Sequence, residues 1–361
     1  MTARTTGQVR VVGAGLLGAS IGHALRALGV DVILHDASKS ALALAVDYGA
    51  GRRAAVGDAP DLVVVAVPPD AVSDVVAAEL ERWPGAIVTD VASVKAGILA
   101  DLVERGADLT RYVGSHPMAG RERGGPVAAR ADLFTGRPWV IAPPPAAPVA
   151  AVRMIEDLAL DLEATPVVLD ATAHDAAVAL VSHVPQIVAS ILAARLTGAT
   201  DEAIALAGQG LRDTTRIAAS DPALWVQILG ANASAVAPVL EAFRSDLDVA
   251  IAALSQPDAP GARRAVADLI AAGGAGVSRI PGKHGESKRF AKITVVVDDR
   301  PGELARLLTE IGTLDVNMED LRLEHSPGAQ IGLAEIAVLP EVEERLIADL
   351  IERGWRIGAI D

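Results

Sequence analysis

Short Val-rich runs alternate with amphipathic stretches along the first third of the chain. RVVGAG, DVILHD, DLVVVAVPP, AIVTDVASV and YVGSHPM have the composition of buried strands, and the segments between them space their apolar residues as helices do. That rhythm predicts a parallel, doubly wound α/β sheet. WVIAPPPAAP adds a strand ending in proline, and VRMIEDLALDLEATPVVLD one more helix and strand, which closes a first domain over residues 1–170. Strand signals then vanish. HDAAVALVSHVPQIVASILAARL and the Ala-rich stretches after it predict an all-helical domain over 171–275. From Gly273 to Lys288 the chain is rich in Gly and charge, which predicts an exposed linker, assigned to 276–289. KITVVVDD, RPGELARLLTEIG, VNMEDLRLEH, IGLAEIAVL and EVEERLIADLIERG then read as a small α+β unit over 290–361, the size of a regulatory appendage.

Composition sharpens this picture. The 361 residues are 51% hydrophobic but 2% aromatic, so Ala, Val, Leu and Ile must fill several cores. A formal net charge of -14 argues against a nucleic-acid partner, which needs clustered Lys and Arg. The absence of Cys removes disulfides and thiolate metal sites, and no metal is expected. No signal-peptide pattern precedes the first strand, so a cytoplasmic location is the expectation. Ala176 to Ala194 carries no formal charge over about nineteen residues, close to membrane-spanning length. His183, Pro185 and Gln186 near its middle would be costly in lipid, so it reads as a buried helix at a subunit interface.

The strongest motif lies at the start. Gly13, Gly15 and Gly18 stand as G-x-G-x-x-G, with Leu17 among them, directly after the first strand and opening a helix. Gly13 allows a tight turn, Gly15 lets a pyrophosphate approach the backbone, and Gly18 allows close helix–strand packing. Asp36 ends the next strand, where a carboxylate accepts from ribose hydroxyls and repels a 2'-phosphate, so NAD is favoured over NADP. Ser38 and Lys39 follow and tolerate phosphate, which leaves NADP incompletely excluded. Val67 and Pro68 end the strand DLVVVAVPP where they suit packing against the cofactor, although plain strand termination explains them as well.

Further polar residues sit in apolar surroundings: Ser93 in DVASVK, His116 in GSHPMAG, His183 in VSHVPQ, and Asp213 with Arg216 in GLRDTTRIAAS. Singly, each has an ordinary explanation: a helix cap for Ser93, a satisfied core or surface imidazole, a solvated or Asp-paired Arg. Together these segments resemble the prephenate and arogenate dehydrogenase family from Val9 through Ala219, in order. The resemblance implies a Rossmann-like domain followed by a helical domain through which two subunits intertwine as a homodimer. It implies His116 bonded to the ring hydroxyl of the substrate, Ser93 as its hydrogen-bonding helper, Arg216 as the clamp on the ring carboxylate, and His183 between nicotinamide and substrate. Asp213, Glu122 and Trp225 match family positions near the pocket. A neutral His suits the removal of a hydroxyl proton as hydride leaves the same carbon, so His116 should work deprotonated. Where the family often has S-H-x-P-H, this chain has Gln186, a neutral amide that tolerates the ammonium of arogenate. Prephenate is the expected substrate, converted to 4-hydroxyphenylpyruvate, with arogenate as the alternative.

The C-terminal unit resembles an ACT domain, a ferredoxin-like module that binds amino acids between its copies. Gly302 in the turn after its first strand and Asn317 at the start of the next strand are its candidate ligand contacts, with tyrosine as the natural effector. A competing reading of another class is a non-enzymatic NAD and amino-acid sensor, which would not need His116 and Arg216 together. A β-hydroxyacid or imine reductase would instead want a Lys on the first long helix, where His183 stands.

Overall fold

A computed structural model describes residues 2–120, 124–280, 290–325 and 330–358. The chain falls into two compact units, Met1–Ala193 with Ile217–Glu241, and Ala194–Arg216 with Ala242–Asp361.

The first unit opens with β1 (Gln8–Val12), α1 (Leu16–Ala27), β2 (Asp31–His35), α2 (Lys39–Asp47), β3 (Arg52–Arg53), β4 (Leu62–Val65), α3 (Val72–Arg82), β5 (Ile87–Asp90) and α4 (Ala96–Glu104). The five strands form a parallel sheet in the order β3-β2-β1-β4-β5. A sheet covered on both faces needs apolar residues at successive positions, and LVVV of β4 supplies them. Leu62 and Val64 pack into the layer that holds Ile21 and Leu25 of α1, while Val63 and Val65 pack into the layer that holds Val76 of α3 and Leu102 of α4.

The strands β6 (Gly114–Pro117), β7 (Pro138–Ala142) and β8 (Thr165–Val168), with α5 (Val149–Asp161) before β8, do not extend that sheet as the sequence pattern predicts. They form a separate three-stranded sheet, β6-β7-β8, touching the first through one isolated bridge, Val88 to Tyr112. The connections explain the change. No crossover helix stands between β6 and β7 among the described residues, so β7 returns antiparallel; α5 separates β7 from β8, which therefore run parallel.

The first long apolar helix is also interrupted. α6 (Ala171–Val178) and α7 (Val184–Ala194) flank a π-helical turn, Ala179–His183. The widened turn precedes Pro185, whose ring would clash with a regular α-helical ladder, so the break sits where the helix is weakest. The run Ala171–Gly198 is long and apolar enough to cross a membrane, yet His183 and Gln186 within it are buried among protein groups. After α8 (Asp201–Ala205) and α9 (Gln209–Thr215), which belong to the second unit, α10 (Pro222–Ala231) and the start of α11 (Ala233–Ser255) return to the first, where Val236 packs on Ala179 and Val184.

In the second unit α12 (Ala262–Val277) carries the helix through Gly273, Gly274 and Gly276, past the point where the sequence suggests a linker. Each Gly costs about 1 kcal/mol against Ala. The Ala-rich turns before them have already set the hydrogen-bond ladder, and each added residue gains one bond. Residues 281–289 of the expected linker lie outside the described residues. β9 (Ala291–Asp298), α13 (Glu303–Thr313), β10 (Asp320–His325), β11 (Ile331–Val338), α14 (Pro340–Glu352) and β12 (Arg356–Ile357) form an antiparallel sheet ordered β10-β11-β9-β12, the ferredoxin-like arrangement. Ile293, Val295 and Val297 alternate along β9 into a core with Leu307, Ile311, Leu346 and Leu350.

Candidate active site

The glycine turn after β1 has the shape a dinucleotide requires. Gly13 adopts φ +102°, and a Cβ there would lie 2.2 Å from the Ala66 carbonyl oxygen, so the turn closes against the end of β4. A Cβ on Gly18 would lie 1.8 Å from the Gly13 carbonyl oxygen, which fixes how closely α1 packs on the turn. Gly15 differs: nothing lies within 4 Å of a Cβ built there, so its missing side chain leaves an open approach to the helix N-terminus. No side chain caps α1, and its first N–H groups are left for an anion. Asp36 is fixed by two backbone donors, Ala14 N–H to Oδ2 and Ser38 N–H to Oδ1, both 2.7 Å, which holds its carboxylate against the glycine turn. Leu17 lies in the first turn of α1, and Val67 and Pro68 follow β4 beside Gly13. These residues fit NAD.

A second cluster is built on the ends of β5 and β6 and on α6. His116 lies on β6, half-buried, with Nδ1 2.9 Å from Nε2 of His174. His174 Nδ1 lies 2.8 Å from Asp175 Oδ1. Asp175 also receives the N–H groups of Lys95 and Ala96, each at 2.8 Å, and so caps α4 from about eighty residues away. Lys95, fully buried, forms an ion pair with Asp90, whose other oxygen accepts from Tyr112 Oη at 2.7 Å. Asn232, between α10 and α11, donates to the Asp175 carbonyl at 2.9 Å and meets His183 Nδ1 at 3.0 Å.

The surroundings favour the neutral imidazole at His116 and at His183. Burial, reinforced by the charges of His174, Lys95 and His183, holds His116 well below the usual 6.5. Burial likewise lowers His183, against the opposing pull of Asp175. For Asp175 burial pushes upward, but the His174 hydrogen bond and the two backbone donors outweigh it, and the carboxyl stays below 3.8. Burial lowers Lys95 despite its pairing with Asp90.

Ser93 does not cap the helix that follows. The residue preceding α4 is Lys95, without a side-chain cap bond, and Ser93 Oγ is buried with no hydrogen-bond partner among the described residues. An orphaned buried hydroxyl two residues before Lys95 is a group left for a partner that the described residues do not supply. The π turn carries His183, and Trp225 on α10 stands edge-on to it with centroids 6.0 Å apart. Gln186 is buried, its amide 3.4 Å from Ser190 Oγ.

Asp213 and Arg216 belong to the second unit, where with Gln209 they line a polar cleft of about 530 Å³ together with Lys292, Arg322, Glu324 and Glu335. Asp213 accepts from Gln209 Nε2 at 2.9 Å. Glu122 lies outside the described residues. Gly302 takes φ +93° ahead of α13, with open space around a would-be Cβ, so conformation and not crowding demands glycine. Asn317 stands in the loop before β10, not at the strand's start, and its amide is held by Glu319 at 3.2 Å, because pairing with β11 begins only where Glu319 N–H meets the Ala337 carbonyl.

Sequence reasoning passed over His174, Asp175, Asn232 and the Asp90–Lys95–Tyr112 group. The available signal was the adjacent ionisable pair His174–Asp175 in an otherwise Ala-rich helix.

Comparison with known proteins now bears on this geometry. Residues 21–168 match the family model for the nucleotide-binding domain of prephenate dehydrogenase, and residues 170–267 the model for its dimerization domain. The probable prephenate dehydrogenase NovF of Streptomyces niveus is 38% identical over 96% of this chain and 98% of its own. The cyclohexadienyl dehydrogenase of Zymomonas mobilis is 32% identical over 69% of this chain and 89% of its own. Among solved structures, prephenate dehydrogenase from Aquifex aeolicus with hydroxyphenyl propionate and NAD+ aligns at TM-score 0.64 and 25% identity, covering 73% of this chain and 96% of that one. Synechocystis arogenate dehydrogenase aligns at TM-score 0.60 and 27% identity, covering 73% and 97%.

Proposed function

The chain belongs to the prephenate dehydrogenase family, and from that premise we propose that it oxidatively decarboxylates prephenate to 4-hydroxyphenylpyruvate with NAD, on the route to tyrosine. The observation that carries the reading is His116, an imidazole kept neutral by burial and held at Nδ1 by His174, which is itself bonded to Asp175. NAD supplies the hydride-accepting ring. His116 accepts the proton of the substrate's ring hydroxyl, Ser93 hydrogen-bonds to the same oxygen, and loss of hydride and carbon dioxide leaves an aromatic ring. His183 holds substrate and cofactor in register. Asp213, Glu122 and Trp225 orient or gate.

Arogenate is the second reading, and Gln186 favours it: a neutral amide stands where a cationic His would repel the substrate's ammonium. Assaying NADH formation with NAD and each substrate in turn decides between them. Higher kcat/KM with prephenate supports the first reading, higher kcat/KM with arogenate the second, and no NADH from either refutes both. The protein acts as a cytoplasmic homodimer; Leu180, Val181 and Ile191, exposed on the first long helical run, are suited to the subunit interface. Tyrosine, as the end product, binds the C-terminal module near Gly302 and Asn317 and inhibits.

A further inference from the structure

Two histidines flank the proposed reaction, and their roles demand opposite protonation patterns: a base needs a bare ring nitrogen, a positioning donor needs an N–H. The hydrogen-bond network around α6 contains enough fixed donors and acceptors to settle which nitrogen carries the proton in each ring.

Backbone N–H groups can only donate and backbone carbonyls can only accept. Lys95 N–H and Ala96 N–H both donate to Asp175, so Asp175 is an acceptor at both oxygens. His174 Nδ1, 2.8 Å from Asp175 Oδ1, must therefore carry the proton of that bond. Where that is the only ring proton of His174, its Nε2 is bare and His116 Nδ1, 2.9 Å away, is the donor to it. His116 is left with a bare Nε2. At the other end the Asp175 carbonyl can only accept, which fixes the Asn232 Nδ2 group as its donor. The second hydrogen of that same amide group meets His183 Nδ1 at 3.0 Å, so His183 Nδ1 accepts and its proton sits on Nε2.

We infer that His174, Asp175 and Asn232 are positioning residues that lock His116 and His183 in opposite tautomers, His116 with a bare Nε2 as base and His183 with an Nε2–H as donor. This rests on the proposed dehydrogenase reading. In the reaction the hydroxyl proton moves to His116 Nε2, and the imidazolium so formed keeps its Nδ1–H on His174, whose far side faces the Asp175 carboxylate. The remaining charged or titratable groups of the cluster are Lys95 and Tyr112, both bonded to Asp90, and His183 itself. All three positioning residues are nearly inaccessible, with His174 at 0%, Asp175 at 5% and Asn232 at 2% exposure, so solvent does not compete for these bonds.

Imidazole ¹⁵N NMR on the histidine-labelled full-length protein at neutral pH tests the assignment without reference to activity, with His116→Asn and His183→Asn identifying the signals. His116 is expected as the Nδ1–H tautomer and His183 as the Nε2–H tautomer; the same tautomer for both overturns the inference. In parallel, His174→Leu should lower kcat/KM by roughly 10- to 100-fold, the usual cost of losing an outer partner that orients a histidine. His174→Gln, whose amide oxygen still accepts near the Nε2 position, should recover most of that loss. If His174→Leu and wild type differ by less than about threefold, the positioning role is refuted. Failure of the underlying reading looks different: wild type then makes no NADH from either ring substrate, whatever the tautomers are.

Discussion

Asp175→Asn isolates the network's central carboxylate. Three hydrogen bonds of 2.8 Å converge on it, from Lys95 N–H, Ala96 N–H and His174, at a residue 5% exposed. Asparagine keeps one acceptor oxygen. If that oxygen replaces Oδ1, the new amide N–H₂ faces the Ala96 N–H; if it replaces Oδ2, the amide faces both Lys95 and His174. Either way a charge-assisted bond is lost and a buried donor goes unsatisfied, costing about 2–4 kcal/mol. At roughly 2–4 °C per kcal/mol for a unit of some two hundred residues, a mid-range loss lowers Tm by about 6–12 °C. Asp170, which caps α6 five residues earlier, is the control: Asn serves equally well there, so Asp170→Asn should shift Tm by about 2 °C at most. The loss also has a pH signature. A carboxyl held below 3.8 contributes stability that is present above that pH and lost as the pH falls through the folded value, so wild type and Asp175→Asn should converge in acid. Thermal unfolding at neutral and acid pH measures both effects. Equal Tm shifts for the two Asn variants at neutral pH would refute the reasoning.

Other perturbations read other parts of the molecule. Gly15→Ala should leave Tm unchanged, since nothing occupies the space around its Cβ, yet weaken NAD binding more than tenfold, about 1.4 kcal/mol, in titration calorimetry. Gly13→Ala, at φ +102° and against the Ala66 carbonyl, should lower Tm as well as affinity. Asp36→Ser removes the fixed carboxylate and should raise kcat/KM with NADP relative to NAD by about tenfold, read by parallel assays. His116 and His183 both titrate below 6.5, so the unfolded chain binds more protons than the folded one as pH falls through that value. Stability to urea should therefore decline below pH 6.5, while kcat/KM stays level through 6.5 and drops at lower pH.

What the sequence disclosed followed from how local the cause is. The turn from Gly13 to Gly18 and the acid at Asp36 are set by neighbours along the chain and by one strand pairing, and residue type and spacing carry that information. The Val-rich strands were legible because a sheet covered on both faces needs uninterrupted apolar runs. The His116–His174 contact joins residues 58 apart, and Asp175 reaches Lys95 across 80, so no local pattern encodes either. Ser93 shows the same limit: a cap and a reserved hydroxyl look alike until the buried Oγ is seen without a partner. The split of β6–β8 into their own sheet depended on what stands between β6 and β7, and the π turn on how the ladder adjusts before Pro185, neither of which periodicity reports.

The central claim is that His116 takes the proton from the substrate's hydroxyl. Steady-state assay of His116→Asn with NAD and the preferred ring substrate tests it most directly, alongside calorimetric NAD binding. The account predicts a fall in kcat/KM of about 10²–10⁴-fold with cofactor affinity unchanged, as loss of a general base requires. A variant within about threefold of wild type, binding NAD normally, would contradict it.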